Sequence, residues 1–163
     1  MEYTAREERT LLRYGGEILA SPGMQREKRF VQHGDKSVFD HSVAVALCCL
    51  ALADCFRLPV DRRALVRGAL LHDCFLYDWH IPAREHRFHG FTHPGRALRN
   101  AERDFALGRI ERSMIRTHMF PLTPCPPTCR EGVLLCVADK LCAAQETLTP
   151  LPERAVRLLK RWR

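Results

Sequence analysis

The stretch Arg62-Arg63-Ala64-Leu65-Val66-Arg67-Gly68-Ala69-Leu70-Leu71-His72-Asp73 decides how this chain is read. Leu65, Ala69 and His72 recur at helical spacing, with Asp73 beside the last of them. One face of an amphipathic helix therefore ends in an imidazole and a carboxylate. The same fault recurs in three other helical patterns. His41, Val45, Cys48 and Leu52 share a face in 37–57, and Ile110, Met114 and His118 share one in 108–119. In 129–148 the shared face reads Leu135, Cys136, Asp139, Cys142 and Ala143. An aliphatic residue would pack better than His or Asp at each of these places. Burying a lone carboxylate costs several kcal/mol unless it is paired or bound to a cation. A divalent metal offsets that penalty, because the ligands become its coordination shell. Helices converging with inward His and Asp are how metal sites are built inside helical bundles.

Helical periodicity dominates the rest of the chain, and strand-type alternation is nearly absent. The pattern predicts helices near 4–20, 22–33, 37–57, 61–74, 93–106, 108–119, 129–148 and 152–162. Ser21-Pro22 reads as N-cap and first helical residue, and Asp61 as another N-cap. Pro94, after His93, reads as the head of a helix. Four prolines between Pro121 and Pro127 forbid helix there. The segment from Phe75 to Thr92 has no clear period, and a loop of that length is often functional.

At 163 residues and 46% hydrophobic, the chain fits one globular domain with a sizeable core. That domain is expected to span 1–163, with its core at about 37–145 and accessory helices at 1–36 and 150–163. The apolar run from Val43 to Ala53 lies between His41 and Asp54, so it reads as a buried core helix and no membrane partner is expected. The N-terminus lacks the apolar region of a signal peptide, and a cytoplasmic protein is expected. Of the eight cysteines, Cys48, Cys49, Cys136 and Cys142 fall in apolar helical runs, where a thiol acts as a small hydrophobe. Cys125 and Cys129 lack the second pair a zinc knuckle needs. The net charge of +7 is scattered except near the C-terminus. There Ala155, Leu158, Leu159 and Trp162 share one face and the basic residues lie off it, which suits docking on the core rather than nucleic acid. The first thirty-odd residues read as an accessory helix pair or a homodimer contact.

His41 in Phe39-Asp40-His41-Ser42, Leu71-His72-Asp73 closing a helix, and Ala138-Asp139-Lys140 in a later helix together resemble the HD-domain superfamily. Its pattern is H…HD…D on an all-α helical bundle, and the resemblance covers roughly 37–145. It implies that His41, His72, Asp73 and Asp139 bind one divalent metal. His93, in Thr92-His93-Pro94, and His118, in Thr117-His118-Met119, extend the order to the H…HD…H…H…D of the dinuclear subset. By that resemblance His93 and His118 hold a second metal and Asp73 bridges. The metal is Fe, Mn, Co, Ni or Zn, since His and Asp ligands accept all of them.

Two divalent ions, two aspartates and a hydroxide leave a net positive centre, which suits a phosphate. Metal binding lowers the pKa of water from about 15.7 toward 7. The expected activity is thus hydrolysis of a phosphorylated small molecule, with a nucleotide as the substrate class, by attack of a metal-bound hydroxide. Lys140 is a candidate phosphate contact and Asp78 a candidate general acid. Arg84, Arg87, His80, His86 and His89 lie in the irregular segment and are candidate substrate-binding groups, His89 foremost because it precedes His93 by four residues. The lysine found shortly after the HD pair in the cyclic-dinucleotide phosphodiesterase branch is absent, since Cys74-Phe75-Leu76-Tyr77 follows. The same ligand order is also used by HD-type di-iron oxygenases resembling myo-inositol oxygenase, which is the alternative reading. A non-enzymatic nucleotide-binding HD domain is a third.

Overall fold

The computed structural model describes residues 3–33, 36–79 and 88–148. Helix α1 (Ala5–Ala20) starts on a capping box, in which the Thr4 hydroxyl accepts from the Glu7 N–H and the Glu7 carboxylate accepts from the Thr4 N–H. Ser21 caps the short helix α2 (Pro22–Arg26), and a single 3-10 turn, Glu27–Arg29, follows. The chain then forms an antiparallel ribbon, β1 (Val31–His33) with β2 (Lys36–Ser37). Ser37 and Asp40 make a second capping box that opens α3 (Val38–Cys55). The Asp61 side chain accepts from the Ala64 N–H and opens α4 (Arg62–Leu71). Helices α5 (His89–Asp104), α6 (Arg109–Thr117) and α7 (Arg130–Leu148) complete the described fold.

The structure is all-α apart from the ribbon. Helix α3 runs through the middle and packs against α1, α4 and α7, while α6 bridges α4 and α7. It is buried on nearly every side, from Val38 to Ala53. With 18 residues and a mean hydropathy of 1.7, α3 is as long and apolar as a membrane span, but 72% of it is buried. The run read from 43 to 53 is thus the middle of a longer apolar helix, and a fully surrounded core helix shows this composition. Contact between α4 and α6 is close at Gly68, where a Cβ would meet the Met114 sulfur at 2.6 Å. Glycine there lets the two helices that carry His72 and His118 approach. Arg67 and Glu111, both buried, close the same interface at 2.6 Å.

Three expectations are corrected. The helix expected over 22–33 stops at Arg26, and the ribbon replaces its second half. Val31 is β-branched, and Gly34-Asp35 between the strands is a hairpin signal that helical periodicity overrode. Helix α5 starts at His89, not at 93, so Pro94 lies inside it. A proline is tolerated near a helix start, where few N–H donors have helical partners. Helices α4 and α6 end sooner than read, at Leu71 and Thr117, so His72 and His118 each sit at a C-terminus. The C-terminal helix expected at 152–162 lies outside the described residues. All eight cysteines are free thiols, with Cys48, Cys49, Cys136 and Cys142 buried.

Candidate metal centre

Four helix segments carry the polar faults of the sequence to one interior point. His41 comes from the second turn of α3, His72 and Asp73 from the end of α4, His118 from the end of α6, and Asp139 from the middle of α7. His93 joins them from α5. All six residues are buried, and His41 and His72 are wholly so. Two overlapping triads result, His41–His72–Asp73 and Asp73–His93–His118, each with ligand atoms within 4.8 Å of one another.

Asp73 belongs to both. Its Oδ2 lies 3.5 Å from His72 Nε2 and 3.9 Å from His41 Nε2. Its Oδ1 lies 3.2 Å from His93 Nε2 and 3.5 Å from His118 Nε2. Asp139 Oδ1 completes the first group, 3.2 Å from His41 Nε2 and 3.7 Å from His72 Nε2.

Every histidine aims Nε2 inward because Nδ1 is engaged elsewhere. Nδ1 of His72 meets the Ala69 carbonyl at 2.7 Å, that of His93 the His89 carbonyl at 2.9 Å, and that of His118 the Ile115 carbonyl at 2.8 Å. His41 Nδ1 instead meets the Glu146 carboxylate at 2.8 Å. A carbonyl only accepts, so Nδ1 carries the proton in those three rings and Nε2 is a bare lone pair when the ring is neutral. Partners of this kind fix tautomer and orientation in metal-binding histidines.

Two features test whether this donor set fits a cation. His93 Nε2 and His118 Nε2 face each other at 2.8 Å. Two lone pairs at that distance repel unless a proton or a metal lies between them. His72 Nε2 and Asp73 Oδ1 are buried with no hydrogen-bond partner among the described residues. Such orphaned groups are rare in native proteins and point to an ion or water at the site. The six residues fit a pair of divalent cations sharing Asp73.

Charge follows the same geometry. Burial alone would lower the His41 pKa, but its bonds to Asp139 and Glu146 prevail and raise it to about 10. Burial likewise works against a charged His72, and the Asp73 charge nevertheless raises its pKa. For Asp73 and Asp139 burial works against ionisation, and the adjacent histidines still hold both carboxyls well below the ordinary range. His118 is the exception: burial, reinforced by neighbouring histidines, lowers its pKa.

A cavity of about 680 Å³ opens onto this cluster. Asp73, His93, His118 and Asp139 line its floor, whereas His41 and His72 lie behind them. Its walls include Trp79, Met119, Pro121 and Leu122. Lys140 also lines it, donating from Nζ to the His118 carbonyl at 3.2 Å. His89 lines it too, stacked between Trp79 and His93, with Nδ1 2.8 Å from the Tyr77 hydroxyl. Asp78 is half-buried and does not line the cavity. His80, Arg84, His86 and Arg87 lie outside the described residues.

Sequence reasoning missed Glu146 and Gln32. Glu146 lies seven residues after Asp139 on the same face of α7, a spacing that was available to read. Gln32 donates from Nε2 to Asp73 Oδ2 at 2.5 Å across 41 residues, and no local pattern announces it.

Comparison with known proteins gives one positive finding: a family model described as "HD domain" matches residues 38–144. No curated protein and no solved structure matches the chain.

Proposed function

This chain belongs to the HD-domain family, and from that premise we propose that it is a metal-dependent phosphohydrolase. Its proposed substrate is a phosphorylated small molecule, with a nucleotide as the class that suits the cavity. One observation carries the reading: the two oxygens of Asp73 each face a separate histidine group at the floor of an open cavity.

His41, His72, Asp73 and Asp139 would hold one divalent cation, and Asp73, His93 and His118 a second. Bound cations supply Lewis acidity at phosphoryl oxygens and bring the pKa of water toward neutrality. The chain's own residues do the rest. Lys140, tethered to the His118 carbonyl at the cavity wall, offers a positive charge to the phosphate. Trp79, Met119 and Leu122 present apolar surface to the rest of the substrate, which suits a flat base. The Tyr77 hydroxyl fixes the His89 ring at the cavity wall. Buried Nδ1 contacts keep each Nε2 inward and exclude alternative tautomers.

The test combines metal analysis with an anaerobic screen of phosphorylated metabolites, read as phosphate release. The expected result is bound divalent metal and release of phosphate without oxygen. Turnover that consumes O2 would replace this reading by the di-iron oxygenase one.

A further inference from the structure

Gln32 stands apart from the six metal-capable residues. It comes from β1, outside the helices, and reaches into the centre while its neighbour Val31 faces solvent. The side chain is 93% buried, at 7% relative exposure, and lines the same cavity as Asp73. Its amide N–H meets Asp73 Oδ2 at 2.5 Å. Its amide oxygen, Oε1, is buried with no hydrogen-bond partner among the described residues.

A carboxylate bridges two cations only if its plane is held so that one oxygen faces each. The His72 and His93 contacts alone leave Asp73 at the end of α4, where the backbone turns out of the helix. We propose that Gln32 is the positioning residue for the bridge. Its N–H occupies one lone pair of Oδ2 and fixes the side-chain rotation, so Oδ1 stays on the His93–His118 side. The free Oε1 accepts a hydrogen bond from a hydroxyl or N–H of whatever ligand enters the cavity. The ribbon between α2 and α3 is thereby part of the site and not a mere connector. This inference rests on the two-cation reading above.

The experiment uses Mn2+ as probe on metal-free full-length protein, with free ion counted by electron paramagnetic resonance. Wild type, Gln32→Met and Gln32→Glu are titrated side by side. Methionine keeps the length without the donor, and glutamate keeps the shape while removing the N–H. Gln32 sits in the ribbon, so helical circular dichroism is expected to be unchanged in both. Wild type is expected to bind two ions and to show the spectrum of a coupled pair. Both variants should bind the first ion within threefold of wild type and the second about 10–100-fold more weakly, as for other residues that orient ligands. Their spectrum at one ion in excess should be that of isolated Mn2+. Two ions bound in both variants with unchanged affinity and an unchanged coupled spectrum would overturn the role of Gln32 and leave the two-cation reading standing. A wild type that binds fewer than two ions would overturn both.

Discussion

His41 and His118 lie on opposite sides of Asp73, both buried, and each is oriented through Nδ1. His41 is held by the Glu146 carboxylate, whereas His118 is held by a neutral backbone carbonyl. Asp139 adds a second carboxylate on the His41 side, whereas His118 has beside it the shared Asp73, at 3.5 Å. The contrast explains why the same burial ends in opposite outcomes, a pKa raised to about 10 for His41 and a lowered one for His118. An interior with more carboxylate charge on one side than on the other would hold two cations with unequal strength. On the proposed reading the ion beside His41 would be the tightly held one. His93 and His118 line the cavity, so an ion beside them would be the exchangeable, substrate-facing one.

The largest expected effect comes from removing what the two sides share. Asp73→Ala should lose both ions on desalting and lower phosphate release by more than about 100-fold, beyond the range seen for residues behind the ligands. Metal content and initial rate measure it. A variant that keeps two ions would break the comparison. His118→Ala should next retain one ion and Asp139→Ala should lose the tighter one, so titration of the two variants distinguishes the sides. If both lose the same ion, the asymmetry is wrong.

Glu146→Gln should weaken the tighter ion by about 10–100-fold while leaving the weaker one unchanged. The pH dependence sharpens this further. Metal must displace the proton from His41, whose pKa in the metal-free protein is about 10. Affinity on that side should therefore rise up to about tenfold per pH unit between pH 7 and 9, whereas His118, whose pKa is lowered, adds no such dependence. Stability runs the other way in chelated protein. The His41 pKa is raised above its ordinary 6.5, so its contribution is complete below that pH and is lost as pH rises through about 10. Thermal melts of chelated protein between pH 6.5 and 10 should fall, and metal-loaded melts should not. The smallest effect belongs to Lys140→Met. Half of its side chain is exposed, so the loss should be a rise of a few-fold in KM at low salt, with metal content unchanged.

The helical frame was legible because burial imposes a period. His41, Val45, Cys48 and Leu52 had to share a face for α3 to pack, and the structure puts them there as buried or half-buried positions. Bringing His41, His72, Asp73, Asp139 and His118 together was readable because they interrupt apolar faces that share one interior, whereas His93 was legible only through the family's ligand order. What escaped depends on contacts with no period. Gln32 reaches Asp73 from a short ribbon whose β1 covers three residues, too few for alternation to register. Tyr77 and Trp79 act through ring contacts with His89, and stacking leaves no spacing rule in a sequence. Asp78 was singled out by its nearness in sequence to Asp73, and among the described residues it is half-buried and not part of the cavity lining.

Anomalous diffraction from crystals grown with Mn2+ tests the central claim most directly. The account predicts two peaks flanking Asp73, one in contact with His41, His72 and Asp139 and the other with His93 and His118. A single peak, or two peaks that leave Asp73 uncoordinated, would contradict it.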